Sequence, residues 1–198
     1  DSIRGTNQRI ISNSTAAENT EVDCLNSFDV NGFTIGANSG VNASGENHVA
    51  WVWKAGDHDD NLPQINTEGT IDSVVSVNDA AGFSIVKWTT TSAAAWNVGH
   101  GLSSAPEMII SKMTSFGNSW EVYHKDTGTG KYLQLHTTAA IGTDAGAFSS
   151  VTNTTWTSYT TNTLGDYIAY CFTSITGYQK VGSYTGTGAT GNAVTTGF

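Results

Sequence analysis

Apolar and polar residues alternate along this chain in short runs, each cut off by Gly, Asn or Thr. The runs include His48–Trp53, Thr70–Val75, Gly82–Trp88, Glu107–Lys112, Ser119–His124, Lys131–Leu135 and Asp166–Phe172. They are rich in aromatic and β-branched residues, the types that fill a pleated, half-buried surface. In the first run, Val49, Trp51 and Trp53 share one face, while Ala50 and Val52 share the other. No window of more than about ten residues carries a stripe at helical spacing. Thr15–Leu25 is the best candidate for one short helix or turn. The pattern predicts an all-β fold, an antiparallel β-sandwich of jelly-roll or lectin-like type.

The runs also resemble one another. Ala50-Trp-Val-Trp53 reads against Ala169-Tyr-Cys-Phe172, an offset of 119 residues. Gly82-Phe-Ser-Ile-Val86, then Trp88 and Val98–Leu102, reads against Gly177–Val181, Tyr184 and Val194–Phe198, at offsets of 95 to 96. Ser14-Thr-Ala-Ala17 reads against Thr137-Thr-Ala-Ala140, at 123. The matches keep a common order, which points to units of roughly 95–120 residues. On this reading 1–56 is the back half of a first β unit, 57–81 an inserted hairpin or linker, and 82–176 a second unit. Residues 177–198 begin a further one. A half-unit leaves strand edges open, and open edges invite pairing with another chain. The expectation is that the terminal half-units complete sandwiches, within the chain or between neighbours, by strand addition. Gly177, Tyr178, Val181, Tyr184, Val194 and Phe198 are the candidate assembly residues. The rival reading is that the chain is a fragment of a longer polypeptide.

Composition narrows the partners. Among 198 residues, Lys and Arg number 8 and Asp and Glu 17, a net charge of −9, which argues against a phosphate-binding, nucleic-acid surface. No apolar run approaches the ~18–20 residues of a membrane-spanning helix. The polar bulk is uncharged, with 29 Thr, 20 Ser and 22 Gly. Cys24 and Cys171 lack the paired spacing of a metal or redox motif and read as buried, inert thiols, the alternative being one disulfide between them.

The strings FDVNGFTIGANSGVNASGENHVAWVWKAG (28–56), GFSIVKW…VGHGLSSAPEMIISK (82–112) and SWEVYHKDTGTGKYLQLHTTAA (119–140) resemble an uncharacterised domain of bacteriophage tail and virion proteins. That domain is common in marine phages and often lies behind a laminin-G-like lectin domain. GYQKVGSYTGTG…TTGF (177–198) is similar to the start of another copy. VAW-x-W-K-A-G and VGHGL-x-x-x-P are the most specific segments. The resemblance implies a β-rich virion component of a tail fibre, spike or other appendage, in contact with other virion proteins and with host surfaces. The unit boundaries are shifted, and no separate lectin domain accompanies them here.

Candidate chemistry is sparse. The histidines are scattered and no G-x-S-x-G elbow frames a serine, so catalysis is not expected. His100, before Pro106, reads as the brace of a turn. Asp57, Asp59 and Asp60, with Asn61, offer oxygen donors of the kind Ca²⁺ takes, but they lack the order of an EF-hand loop. A solvated loop is the plainer reading, and no cofactor is expected. Trp96, Trp120 and Trp156, flanked by Asn, Ser and Thr, fit rings exposed for stacking on sugars, whereas Trp51, Trp53 and Trp88 read as core. The expected function is a non-enzymatic phage structural protein, resident in the virion and homo-oligomeric. The alternatives are a carbohydrate-binding adhesin for host surface glycan and a glycan-degrading depolymerase, which would need two suitably spaced carboxylates.

Overall fold

Apart from His48–Trp53, which forms no strand, the alternating runs become strands whose two faces bury different partners. The computed structural model describes residues 1–56, 63–158 and 164–197. In the first 56 residues lie β1 (Gln8–Arg9), β2 (Asn19–Thr20), β3 (Leu25–Asp29) and β4 (Gly32–Ile35), followed by one helical turn, α1 (Ser39–Asn42). Next come β5 (Gln64–Asn66), β6 (Ser73–Asn78), β7 (Phe83–Thr90), β8 (Trp96–Gly99), β9 (Met108–Met113) and β10 (Trp120–His124). The last are β11 (Lys131–Gln134), β12 (Gly142–Thr143), β13 (Ser150–Val151), β14 (Thr155–Ser158) and β15 (Gly165–Phe172).

Among the described residues the main sheet has eight strands in the order β12-β11-β10-β9-β15-β7-β6-β5. Its neighbours pair antiparallel. A three-stranded sheet, β13-β14-β8, packs over one face of it, and β1–β2 and β3–β4 form separate pairs. The fold is an all-β sandwich. Within 57–81, β5 and β6 form a hairpin that continues the main sheet beyond β7. Thr15–Leu25 holds β2 and a turn rather than a helix. Its Asn, Thr and Asp side chains compete for backbone groups and favour turns.

Between the two sheets lies the principal core. Val86 and Trp88 of β7, Ala169 and Cys171 of β15, and Ile109 and Met113 of β9 meet Trp96, Val98 and Trp156 of the smaller sheet. Trp88 stacks on Tyr167 with ring centroids 5.2 Å apart and takes the edge of Trp156 at 5.3 Å. The opposite face of the main sheet is also covered. Phe83, Ile85, Ile168 and Phe172 are buried there under Ile3, Ile10, Ala55 and Val181. The indole N–H of Trp120 donates to the Ile11 carbonyl (2.9 Å), and Asn118 and Glu18 extend the seam through hydrogen bonds to Thr15 and Thr114. Arg4, nearly buried, bridges Asp1 and Glu18 and donates to the Tyr170 hydroxyl.

The first 35 residues repeat the hydrogen-bond geometry of 124–158 at a constant offset of 123. Gln8 faces Thr20 and Arg9 faces Asn19, as Lys131 faces Thr143 and Tyr132 faces Gly142. Ser27 faces Thr34 and Phe28 faces Phe33, as Ser150 faces Thr157 and Val151 faces Trp156. Connecting bonds recur in step. Glu21 N–H donates to Asn7 and Asp144 N–H to Gly130; Gly5 N–H donates to Asp1 and Gly128 N–H to His124. Gly5 and Gly128 both sit at positive φ, +86° and +79°, where a side chain would be strained.

His100 is fully buried, its Nδ1 accepting from Leu102 N–H and its Nε2 lying 3.2 Å from the Thr152 carbonyl. Since Nδ1 accepts, the single proton sits on Nε2 and the ring is neutral. Burial lowers its pKa, outweighing the Thr152 carbonyl and the Asp79 carboxylate, which favour the cation. A histidine depressed on folding contributes stability above its unfolded value of 6.5, and that contribution is lost as pH falls below 6.5. The thermal midpoint should therefore drop on acidification from pH 7. Across the same window, His100→Gln should flatten that slope, as followed by circular dichroism.

Candidate functional site

The sequence of residues 28–53 builds an apolar surface that its own chain leaves open. Val30 and Asn31 turn β3 into β4, every residue of β4 is exposed, and Phe28 and Phe33 project from the pair. Asn38 caps α1 by accepting from Gly40 N–H at 2.8 Å, and the chain then runs through His48–Trp53 without forming a strand. Trp53 rests against Phe172 (5.8 Å, edge to face) and Phe83 (6.4 Å) at the rim of the main sheet. Trp51 tilts against Trp53 at 6.3 Å but stands 76% exposed, beside Val49 and Val52.

Counterparts of several of these residues elsewhere in the chain are core. Phe33 is 39% exposed, while Trp156, 123 residues on, is 0%. Val52 is 70% exposed, while Cys171, 119 residues on, is 0%. The difference lies in the neighbours. β14 is paired by β8 on one side and β13 on the other, and β15 lies between β7 and β9. Among the described residues, β4 pairs with β3 alone and His48–Trp53 lies in no sheet.

One family model, described as a domain of unknown function (DUF7483), matches residues 1–198. The chain belongs to that family. No curated protein and no solved structure matches this DUF7483 chain.

The residues singled out in the sequence fall in contrasting places on the DUF7483 fold. Trp96, Trp120 and Trp156 are buried, at 4%, 4% and 0% exposure, which corrects the expectation of exposed stacking rings. Their polar flanks are satisfied inside the fold: Asn97 Nδ2 donates to the Thr155 and Thr157 hydroxyls and to the Trp156 carbonyl. Trp51 and Trp53, expected in the core, are exposed, because His48–Trp53 forms no strand and pairs with none among the described residues; Trp88 is core. Asp57, Asp59, Asp60 and Phe198 lie outside the described residues. Among the described residues, no three His, Cys, Asp or Glu side chains converge as metal ligands would. Of the assembly candidates, Gly177 turns at φ +76°, Tyr178, Tyr184 and Val194 are exposed, and Val181 is buried in its own chain.

Titratable groups in the interior do structural work. Cys24 and Cys171 are free and buried, and burial pushes the Cys171 thiol up to about 12, far from a nucleophile at neutral pH. Glu121 lines a narrow cleft with Trp96, Met113, Phe148 and Tyr167 that has about 10 Å³ of room, no more than a single water needs. Burial and then the Asp144 charge raise its pKa. Lys112, 1% exposed, donates to the Met113 carbonyl, and desolvation lowers its pKa.

The contrast between core and open indoles is measurable. Trp156→Ala should cost about 3–5 kcal/mol in urea unfolding, as core aromatic truncations do. Trp51→Ala should change the same quantity by less than about 0.5 kcal/mol, the range of ordinary surface substitutions.

Proposed function

We propose that this chain is a non-enzymatic structural protein of the bacteriophage virion, a component of a tail fibre or other appendage that assembles with copies of itself or with other virion proteins. One observation carries the reading: the apolar side chains of Phe33, Val49 and Val52 are exposed, while their counterparts Trp156 of β14 and Ile168 and Cys171 of β15 are core. Large apolar faces on a folded protein mark contact surfaces, and an unpaired strand beside one supplies backbone donors and acceptors for the same partner. The recurring strand pairs support a repeat-bearing architecture, in which units of one design stack along an appendage. The similarity of residues 28–56, 82–112, 119–140 and 177–198 to phage tail and virion domains supplies the particle.

This reading is favoured over glycan recognition because Trp96, Trp120 and Trp156, the rings first offered to a sugar, are sealed in the core. Mechanically, the sandwich is a rigid element and the open apolar face a joint. Surfaces of Thr, Ser, Asn and Gly keep the rest hydrated, and the charge of −9 holds molecules apart where no apolar contact overcomes it.

Replacing Trp51 and Val52 together by Asp tests the reading. In analytical ultracentrifugation the native chain should sediment as oligomers and the double variant as a monomer with an unchanged far-UV circular dichroism spectrum. A native chain that stays monomeric across the concentration range, alone and with lysate of phage-infected cells, would refute it. Immunogold electron microscopy against the chain should label an appendage of the particle.

A further inference from the structure

We propose that the open face of residues 25–53 receives the arm Gly182–Gly197 of a second copy of this chain, joining copies head to tail. The inference rests on the assembly reading above and names its partner. The template is inside the molecule. In residues 82–172, β8 pairs with β14 so that Val98 faces Trp156, and β7 pairs with β15 so that Trp88 faces Tyr167. Trp88 also sets its ring against the edge of Trp156. Phe33 stands where Trp156 stands, 123 residues earlier, and His48 stands where Tyr167 stands, 119 residues earlier. Tyr184 and Val194 follow Trp88 and Val98 at an offset of 96. Carried over, the pairing sets Val194 opposite Phe33, Tyr184 opposite His48, and the Tyr184 ring against Phe33.

The arm shares turn glycines with its counterpart and is exposed. Gly101 turns at φ +76°, and Gly197, 96 residues on, turns at +87°; Gly82 and Gly177 are likewise both left-handed, at +62° and +76°. Residues 182–197 are exposed along their length, with Tyr184 at 72% and Val194 at 51%. The root of the arm is fixed. Gln179 donates through Nε2 to the carbonyls of Gly82 and Thr173, and Val181 is buried with Phe83 and Ile85. Beyond this root the arm stays exposed, although Ser183 donates to Asp126 of its own chain, and an exposed arm fixed at its root suits transfer to a neighbour. Because the two surfaces differ, the contact is heterologous and propagates copy to copy instead of closing a two-fold dimer.

Cysteine pairing reads the register directly. Opposed residues of antiparallel strands bring Cβ atoms to about 4.5–5.5 Å, close enough for a disulfide after small shifts. The full-length chain carrying Phe33→Cys and Val194→Cys, mildly oxidised, should give a non-reducing ladder at multiples of the chain mass. Mass spectrometry should find the 33–194 linkage in it. Mixing the two single variants should give a heterodimer that grows no further. The shifted pair Phe33→Cys and Thr187→Cys should give no ladder. Oligomers that sediment normally but lack the 33–194 bond, form it within one chain only, or form the shifted bond equally, would overturn the inference while leaving the assembly reading intact. A chain that stays monomeric throughout would overturn both.

Discussion

β15 is the strand on which the rest of the molecule depends. All eight of its residues are in register with β7, and six of them are also in register with β9, so its backbone is paired on both sides. Its side chains are buried on both faces as well. Tyr167, Ala169 and Cys171 point into the aromatic core, while Ile168 and Phe172 lie under the N-terminal segment and Val181. Two-sided burial explains an apolar run with little polar alternation. It also explains why Trp88, stacked on Tyr167, can gather two further rings, Trp96 and Trp156, and so tie the small sheet to the large one.

The same physics explains why the first 56 residues differ in burial from a segment they resemble in geometry. Hairpins β1–β2 and β3–β4 form because their turns and local hydrogen bonds need only nearby residues, and these recur in step with β11–β12 and β13–β14. Burial of the resulting face needs a second layer. In 124–172 that layer comes from β7, β8 and β9; over Phe33 and Trp51 no described strand lies. Local structure is thus decided by the hairpin, and exposure by its partner.

That division also marks what could be read from the sequence. Most strand positions and the all-β class were legible because period two is a local signal, while His48–Trp53, with the same signal, forms no strand. The fate of individual tryptophans was not. Trp156 sits among Asn and Thr, which looks like a polar rim, yet Asn97 and the Thr155 and Thr157 hydroxyls satisfy one another beneath the surface. Trp51 sits in the stronger strand pattern and is the most open indole. Both errors have one cause: flanking residues report the pairing potential of a strand, while exposure depends on elements far away in sequence. The brace formed by His100 was readable, since a ring between two glycines ahead of a proline has the turn backbone within reach.

Magnitudes set the character of the joint. Fully burying a large apolar side chain is worth about 1.5–3 kcal/mol. Phe33, Tyr184 and Val194 together would therefore contribute about 5–9 kcal/mol at most. Association itself costs about 4–15 kcal/mol in lost freedom at the standard state. Three side chains alone would leave a joint that opens readily, and the negative charge on each copy weakens it further at low salt. A durable joint needs the backbone ladder along β4 and the additional apolar cover of Trp51 and Val52. The arm being anchored at Gln179 and Val181 matters for the same reason, because a strand already held at one end has less conformational entropy to lose when the other end docks.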